Sequence, residues 1–285
     1  MNGTVLMSIN DLEAFPKQFW EGFFYGKYCF MVKSWGHSLR SVNKYDIITK
    51  EPKERIEMIT KEDYQLIRSH PAFSEIPVEK FDKLAVEIHY REIPKGQILF
   101  FAGDKRDRIF LVVEGYVRIE EFDSSDTFSY MDYIKEGAVF PYGGMFTDSN
   151  YHYTATSMTT VKYFSIPVQL YEEIVQSSME QVLFITRKLS KILEFQELRL
   201  RNVVAASASD RVIQSLALLC KDYQKSGPTI PFPMSMKELA RLAATTRETV
   251  NQVLKKLLEE ERIEYKHKKL TFLDLPFFLD SFEEA

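Results

Sequence analysis

Residues 235–258 read Ser235-Met-Lys-Glu-Leu-Ala-Arg-Leu-Ala-Ala-Thr-Thr-Arg247-Glu-Thr-Val-Asn-Gln-Val-Leu-Lys-Lys-Leu-Leu258. The pattern is that of two short helices joined by a tight turn. Leu239, Leu242 and Ala243 form one apolar stripe. Val250, Val253, Leu254, Leu257 and Leu258 form a second, at spacings of 3, 4, 7 and 8 from its first member, the period of one buried helical face. Opposite that second stripe lie Glu248, Gln252 and Lys255, with Arg247 and Asn251 on its flank. These side chains carry the donors and acceptors that match base edges in a major groove. The stretch predicts a helix-turn-helix that reads DNA.

Charge supports this reading through its distribution, not its total. From Ser235 to Leu270 nine Lys/Arg stand against six Glu, a local +3, whereas the whole chain carries −4, so the remainder sums to about −7. That asymmetry suits a DNA-reading module joined to an acidic sensor or scaffold. Just downstream, Lys266-His-Lys-Lys269 between Ile263 and Leu273 reads as the turn of a hairpin wing. Upstream, Ser209 to Tyr223 predicts a further helix, and Lys225-Ser-Gly-Pro228 with Pro231-Phe-Pro233 reads as a linker.

From about Val86 to Pro167 the period changes to two. The β-rich runs are Gln97–Phe101, Arg108–Val113, Tyr116–Phe122, Thr127–Ile134 and Ala155–Ile166. Turn chemistry at Pro94-Lys-Gly96, Gly103-Asp104, Glu114-Gly115, Asp123–Asp126 and Glu136-Gly137 separates them. Regularly spaced strands of this kind predict a small antiparallel roll or barrel. The stretch from Leu170 to Val204 then predicts one long helix. Val182, Leu189 and Val203 fall on one heptad position, with Ile185 and Ile192 on its companion. Gln196 and Arg199 interrupt that seam. A helix of about 30 residues extends roughly 45 Å, more than the roll can cover. Self-association along this helix is the economical explanation; packing within one chain is the alternative.

Residues 1–57 differ from the rest. They hold both tryptophans, Trp20 and Trp35, and the aromatic cluster Phe19–Phe30, with no clean helical or strand period. The segment is either a packed appendage or one that is not normally made. Lys53-Glu54-Arg55 can be encoded as AAG-GAG-AGG, a purine-rich ribosome-binding sequence ahead of Met58. The expected divisions are 1–57 as an N-terminal extension, 58–168 as a sensor roll, 169–206 as a dimerisation helix and 207–285 as a winged helix-turn-helix domain.

The 285 residues, 45% hydrophobic and 27% charged, are ordinary for a soluble globular protein and suffice for one large core or two smaller ones. No apolar stretch reaches the roughly 18–20 residues that span a bilayer, and no leader pattern opens the chain. Cys29 and Cys220 can make neither a disulfide framework nor a metal motif, which points to the reducing cytoplasm. An enzyme on a cupin-like roll needs clustered histidine and carboxylate ligands, but His37, His70, His89, His152 and His267 are scattered. A scaffold whose C-terminal helices contact proteins is the other rival; it would lack salt-sensitive DNA binding.

The order of roll, long helix, helix-turn-helix and wing resembles the CRP/FNR family of bacterial transcription regulators over roughly Ile59 to Leu275. The carrying motifs are Pro94-Lys-Gly-Gln-Ile-Leu-Phe-Phe-Ala-Gly-Asp104, Leu111-Val-Val-Glu-Gly-Tyr-Val-Arg-Ile119 and Thr246-Arg-Glu-Thr-Val250. The last is similar to the Ser-Arg-Glu-Thr-Val that opens the family's recognition helix. The resemblance implies an α+β fold: a jelly-roll-like antiparallel β-roll, a long dimerisation helix and a C-terminal winged helix-turn-helix.

By the same resemblance Arg247 and Glu248 are base readers, with Asn251 and Gln252 beside them. Arg pairs with guanine and Glu accepts from cytosine, each worth about 1–3 kcal/mol of discrimination. The family often has a second Arg where Gln252 stands, so the half-site is expected to depart from TGTGA. Lys237, Thr245, Thr246, Lys255, Lys266, Lys268 and Lys269 are expected at phosphates, which position without specifying. Ala244 stands where the family usually has Gly; a left-handed backbone there would cost on the order of 1 kcal/mol unless the turn takes another geometry.

The family's cyclic-AMP-binding members use a Gly-Glu and an Arg-Ser or Arg-Thr pair. These fall on Pro141-Tyr142 and Tyr153-Thr154 here, so cyclic AMP is not expected as effector. Two separate cysteines cannot hold the iron–sulfur cluster of other members, and haem ligation by His89 or His152 is not expected either. Tyr142, Gly143, Gly144, Tyr153 and Thr154 are candidate walls of a pocket for another effector, or the roll takes none. The implied partners are double-stranded DNA with two half-sites, a second copy of the chain and RNA polymerase in an activating role; no membrane is implied.

Overall fold

The computed structural model describes residues 5–8, 20–25, 28–33, 55–122, 129–205 and 207–283. Two units separate, residues 1–50 and 51–285. In the first, strands β1 (Val5–Ser8), β2 (Trp20–Tyr25) and β3 (Tyr28–Lys33) form an antiparallel sheet of order β1-β3-β2. The β2–β3 register runs from Trp20 opposite Lys33 to Tyr25 opposite Tyr28.

The second unit opens with β4 (Arg55–Met58), followed by α1 (Lys61–Ser69) and α2 (Val78–Ala85). Thr60 and Asp63 form a reciprocal capping box that starts α1. Ile67, Phe81 and Leu84 bury their side chains in the cluster beneath these helices. The roll follows: β5 (His89–Ile93), β6 (Ile98–Phe100), β7 (Arg108–Glu114), β8 (Val117–Phe122), β9 (Ser129–Ile134), β10 (Val139–Phe140), β11 (Thr154–Ser157) and β12 (Val161–Pro167). They pair as a five-stranded sheet, β10-β7-β12-β5-β4, and a four-stranded sheet, β6-β11-β8-β9, all antiparallel.

The run expected as one strand from Ala155 to Ile166 is two strands in different sheets, β11 and β12. The chain crosses between sheets at Met158–Thr160, where Gly115 makes the approach possible. Gly115 has φ +92°, and a Cβ there would lie 2.3 Å from the Thr160 carbonyl oxygen. Aromatic rings fill the roll: Phe100 stacks on Tyr151 at 3.8 Å and on Phe110 at 5.5 Å, and Phe110 meets Phe140 at 5.5 Å.

The long helix expected over Leu170–Val204 is interrupted. Helix α3 (Val168–Gln176) and helix α4 (Met179–Ala205) are separated by Ser177 and Ser178. Both hydroxyls engage backbone groups, as serine does when it competes with a helix. Ser177 Oγ donates to the Ile174 carbonyl (2.7 Å), and Ser178 Oγ accepts from the Gln181 N–H as α4 begins (3.4 Å).

Next come α5 (Ala208–Tyr223), α6 (Met236–Leu242), α7 (Arg247–Glu259), β13 (Ile263–Lys266), β14 (Lys269–Phe272) and α8 (Leu275–Glu283) around their own core. The segment read as a linker does not behave as one. Ile230, Phe232 and Met234 are buried in that core. The segment also runs beside the wing: Ile230 N–H donates to Leu270 O (2.9 Å), Phe272 N–H to Pro228 O (2.8 Å) and Met234 N–H to Lys268 O (2.7 Å). Its prolines remove donors where none is needed, while the residues between them supply apolar burial. Among the described residues, no helix is long and apolar enough to cross a membrane.

Candidate nucleic-acid interface

Helix α7 is set up by its caps. Thr246 at the N-cap accepts the Thr249 N–H at 3.2 Å, and α6 begins with a capping box of Ser235 and Glu238. Val250, Val253, Leu254 and Leu257 are buried against the core; each contributes about 1.5–3 kcal/mol of apolar burial. At 100° per residue, Glu248, Gln252 and Lys255 fall on the opposite side, with Arg247 and Asn251 on the flank of the stripe, and all five are exposed. Leu258 does not join the buried stripe as expected: it is 41% exposed. Its helical angle places it beside Arg247, about 80° from Val250.

Glu248 has its carboxyl held below the usual carboxylate range by hydrogen bonds from its own backbone N–H, then by the Thr246 hydroxyl, with Arg247 adding to both. It is therefore a fixed acceptor at neutral pH. Lys237, Thr246, Lys266, Lys268 and Lys269 are exposed and Thr245 is half-buried. Lys255 reaches Glu259 at 3.8 Å and Lys266 reaches Glu264 at 3.0 Å, weak exposed pairs that phosphates can displace. The wing turn is made by His267 and Lys268, both at positive φ (49° and 65°), as a two-residue hairpin of this twist requires. Ala244 is left-handed, φ +46°. The turn keeps the geometry in which glycine is at ease and accepts a cost of about 1 kcal/mol for alanine.

The seam on α4 is shifted from its expected register. Val182, Leu189 and Ile192 are exposed, but Ile185 is only 2% exposed and packs into the cluster beneath α1–α3. It belongs to the chain's own core because it sits in the helix's second turn, over the roll. Leu193 (60% exposed) and Leu200 (64%) instead continue the open stripe begun by Val182 and Leu189; sequence reading missed both. The side chain of Val203 lies outside the described residues. The two polar interruptions have partners on the roll. Gln196 Nε2 donates to the Tyr130 hydroxyl (3.3 Å), and Arg199 donates to Met131 O (3.0 Å) and lies 3.4 Å from Asp132. Burial pushes Tyr130 up to about 12, so its hydroxyl stays neutral.

The five candidate pocket residues divide between two clusters. Tyr142 is buried beneath α1–α3, whereas Tyr153 packs against the aromatic filling of the roll, 6.0 Å from Phe100. Thr154 Oγ1 accepts the Ala102 N–H at 3.1 Å. Gly144, φ +77°, gives its carbonyl to Thr147 and Asp148, and Gly143 is exposed. A cleft lies elsewhere, between roll and DNA-reading domain, lined by Asp132, Tyr133, Phe195, Arg199, Asp222 and Tyr223 among others. Beside it the roll grips α6. Arg118 of β8 pairs with Glu238 (2.7 Å) and Glu120 (2.9 Å), and Tyr133 stacks on Phe232 at 4.5 Å. No sequence period signals such a cross-domain pair. Among the described residues, no group of three or more His, Cys, Asp or Glu is placed to hold a metal ion.

Comparison with known proteins agrees with this order of domains. The family model described as a cyclic nucleotide-binding domain matches residues 90–178, and that of a Crp-like helix-turn-helix domain matches residues 210–277. The chain is 26% identical over 194 residues to the global nitrogen regulator of Synechococcus elongatus, covering 66% of this chain and 86% of that one. It is 24% identical over 193 residues to the cAMP-activated global transcriptional regulator CRP of Haemophilus influenzae, covering 66% and 85%. Among solved structures, the c-di-GMP responsive global regulator CLP of Xanthomonas campestris shares the fold, with TM-score 0.56, 22% identity and coverage of 68% of this chain and 97% of that one.

Proposed function

Because the chain belongs to the CRP/FNR family of DNA-binding transcription regulators, which are not enzymes, we propose that it acts as a homodimer on an imperfect palindrome. Two copies of α7 enter successive major grooves about 34 Å apart. Arg247 and Glu248 read base edges with Asn251 and Gln252 beside them, while Lys237, Thr245, Thr246, Lys255, Lys266, Lys268 and Lys269 hold phosphates. The observation that carries this reading is the opening of α7: an exposed guanidinium on the flank of a fully buried stripe and an exposed, ionised carboxylate opposite it. The open apolar face of α4 supports the second copy. The work of such a protein is done in the cytoplasm, by contact with RNA polymerase, as an activator.

Cyclic AMP is not its effector in this reading. The residues at the expected pairs do not fit a cyclic nucleotide. Tyr142, where a carboxylate would hold the ribose, is buried in the core; Tyr153 replaces the guanidinium; and the Thr154 hydroxyl is committed to a backbone amide. A phosphate there would lose its charge-assisted partner, and burying it uncompensated is costly. Titration calorimetry with cyclic AMP is expected to show no binding at micromolar concentrations; micromolar affinity would overturn this part. The whole reading is tested by selecting bound duplexes from a randomised pool. Recovery of a two-fold-symmetric site is expected, and recovery of no preferred sequence contradicts it.

A further inference from the structure

Arg211 stands in the first turn of α5, remote in sequence from the helix-turn-helix, yet its guanidinium lies against the turn between α6 and α7. Nε donates to the Ala243 carbonyl at 3.0 Å and Nη2 to the Ala244 carbonyl at 3.0 Å. These carbonyls close the C-terminal end of α6, where intrahelical donors run out and a cation is favoured. The second of these residues carries the strained geometry of the turn: Ala244 is left-handed at φ +46°. Around them, the Ala244 N–H returns to Arg241 O (3.1 Å) and the Thr245 N–H to Ala240 O (2.9 Å). Thr246, the N-cap of α7, follows at once.

We infer that Arg211 is a positioning residue for DNA reading: a planar fork that holds Ala244 in a conformation alanine resists, and so fixes where α7 begins. The inference rests on the proposed role of α7 in base recognition. A planar guanidinium matches two neighbouring carbonyls at once, which a lysine ammonium, acting as a point charge, does not. Arg211 itself is anchored by a rigid element. Its N–H donates to Ser207 O (2.9 Å), and α5 is started by a capping box of Ser207 and Asp210. A small displacement of the turn shifts Arg247 and Glu248 together. Base contacts tolerate such a shift poorly, whereas flexible lysines on phosphates follow it.

Two readouts test this on the full chain: amide hydrogen exchange across Ala244–Thr249, and the ratio of affinities for a selected duplex and a scrambled duplex of equal length. Arg211→Met is expected to speed exchange in the turn, leave α8 unchanged and lower the affinity ratio about tenfold, with scrambled binding held within twofold. Arg211→Lys should fall between it and the parent. Adding Ala244→Gly to Arg211→Met should restore most of the ratio, because glycine holds a left-handed backbone unaided. A merely structural role for Arg211 would weaken both duplexes in parallel and would not be rescued. Unchanged exchange in the turn for both Arg211 variants overturns the inference, even where the parent shows no duplex preference; that last result would instead end the base-reading proposal. Exchange that quickens without loss of the affinity ratio also overturns it.

Discussion

Helices α4 and α7 carry similar sequence signals and end in opposite circumstances. In α7 every apolar residue of the stripe but Leu258 meets the protein's own core, and the rest of what remains outside is polar and charged. In α4, among the described side chains of the expected seam, only Ile185 is buried, and Val182 and Leu189, with Leu193 and Leu200, remain open. Periodicity therefore states that a helix has a face; it does not state what covers it. The covering is decided by length and neighbours. Thirteen residues of α7 lie among α5, α6 and β13, whereas the 27 residues of α4 outrun the roll.

The contrast can be broken most forcefully at α4. The pair Leu189→Glu and Leu193→Glu is expected to convert the protein to monomers in sedimentation velocity and to reduce affinity for a selected duplex more than a hundredfold. Dimers that survive this change would remove α4 from the interface. Within α7, Leu254→Ala should destabilise by about 2–5 kcal/mol in urea titrations, because its side chain is fully packed. Leu258→Ala, on the exposed side, should change stability by less than about 0.5 kcal/mol. Equal losses at the two positions would mean that the face has been misplaced. A small effect on DNA binding belongs to the wing: Lys268→Ala should weaken all duplexes alike by a few-fold and flatten the salt dependence by about one unit of slope.

What could be read from the sequence follows from the range of the interactions involved. The helix-turn-helix is legible because its determinants are local: two apolar stripes at a 3.6-residue period, to which the structure adds a capping box at Ser235 and Glu238 and an N-cap at Thr246. Its turn was legible in position, and the structure supplied the hand of Ala244. The segment Lys225–Pro233 was misread because Pro, Gly and Ser mark a loop, while Ile230 and Phe232 announce burial only once the wing lies beside them. The break between α3 and α4 rests on two serine hydroxyls, which a hydrophobic period does not register. The contacts Arg118–Glu238, Arg199–Asp132 and Arg211 with the α6–α7 turn join residues far apart in the chain. Such pairs have no period, and only the fold brings them together.

The central claim is that a guanidinium and a carboxylate at the start of α7 read bases in two symmetric half-sites. Its most direct test is the binding preference of Arg247→Ala, measured by selection from a randomised duplex pool beside the parent protein. The account expects preference to vanish at one guanine in each half-site, a loss of about 1–3 kcal/mol there, with the other positions retained. A variant that selects the same sequence with the same stringency would contradict it.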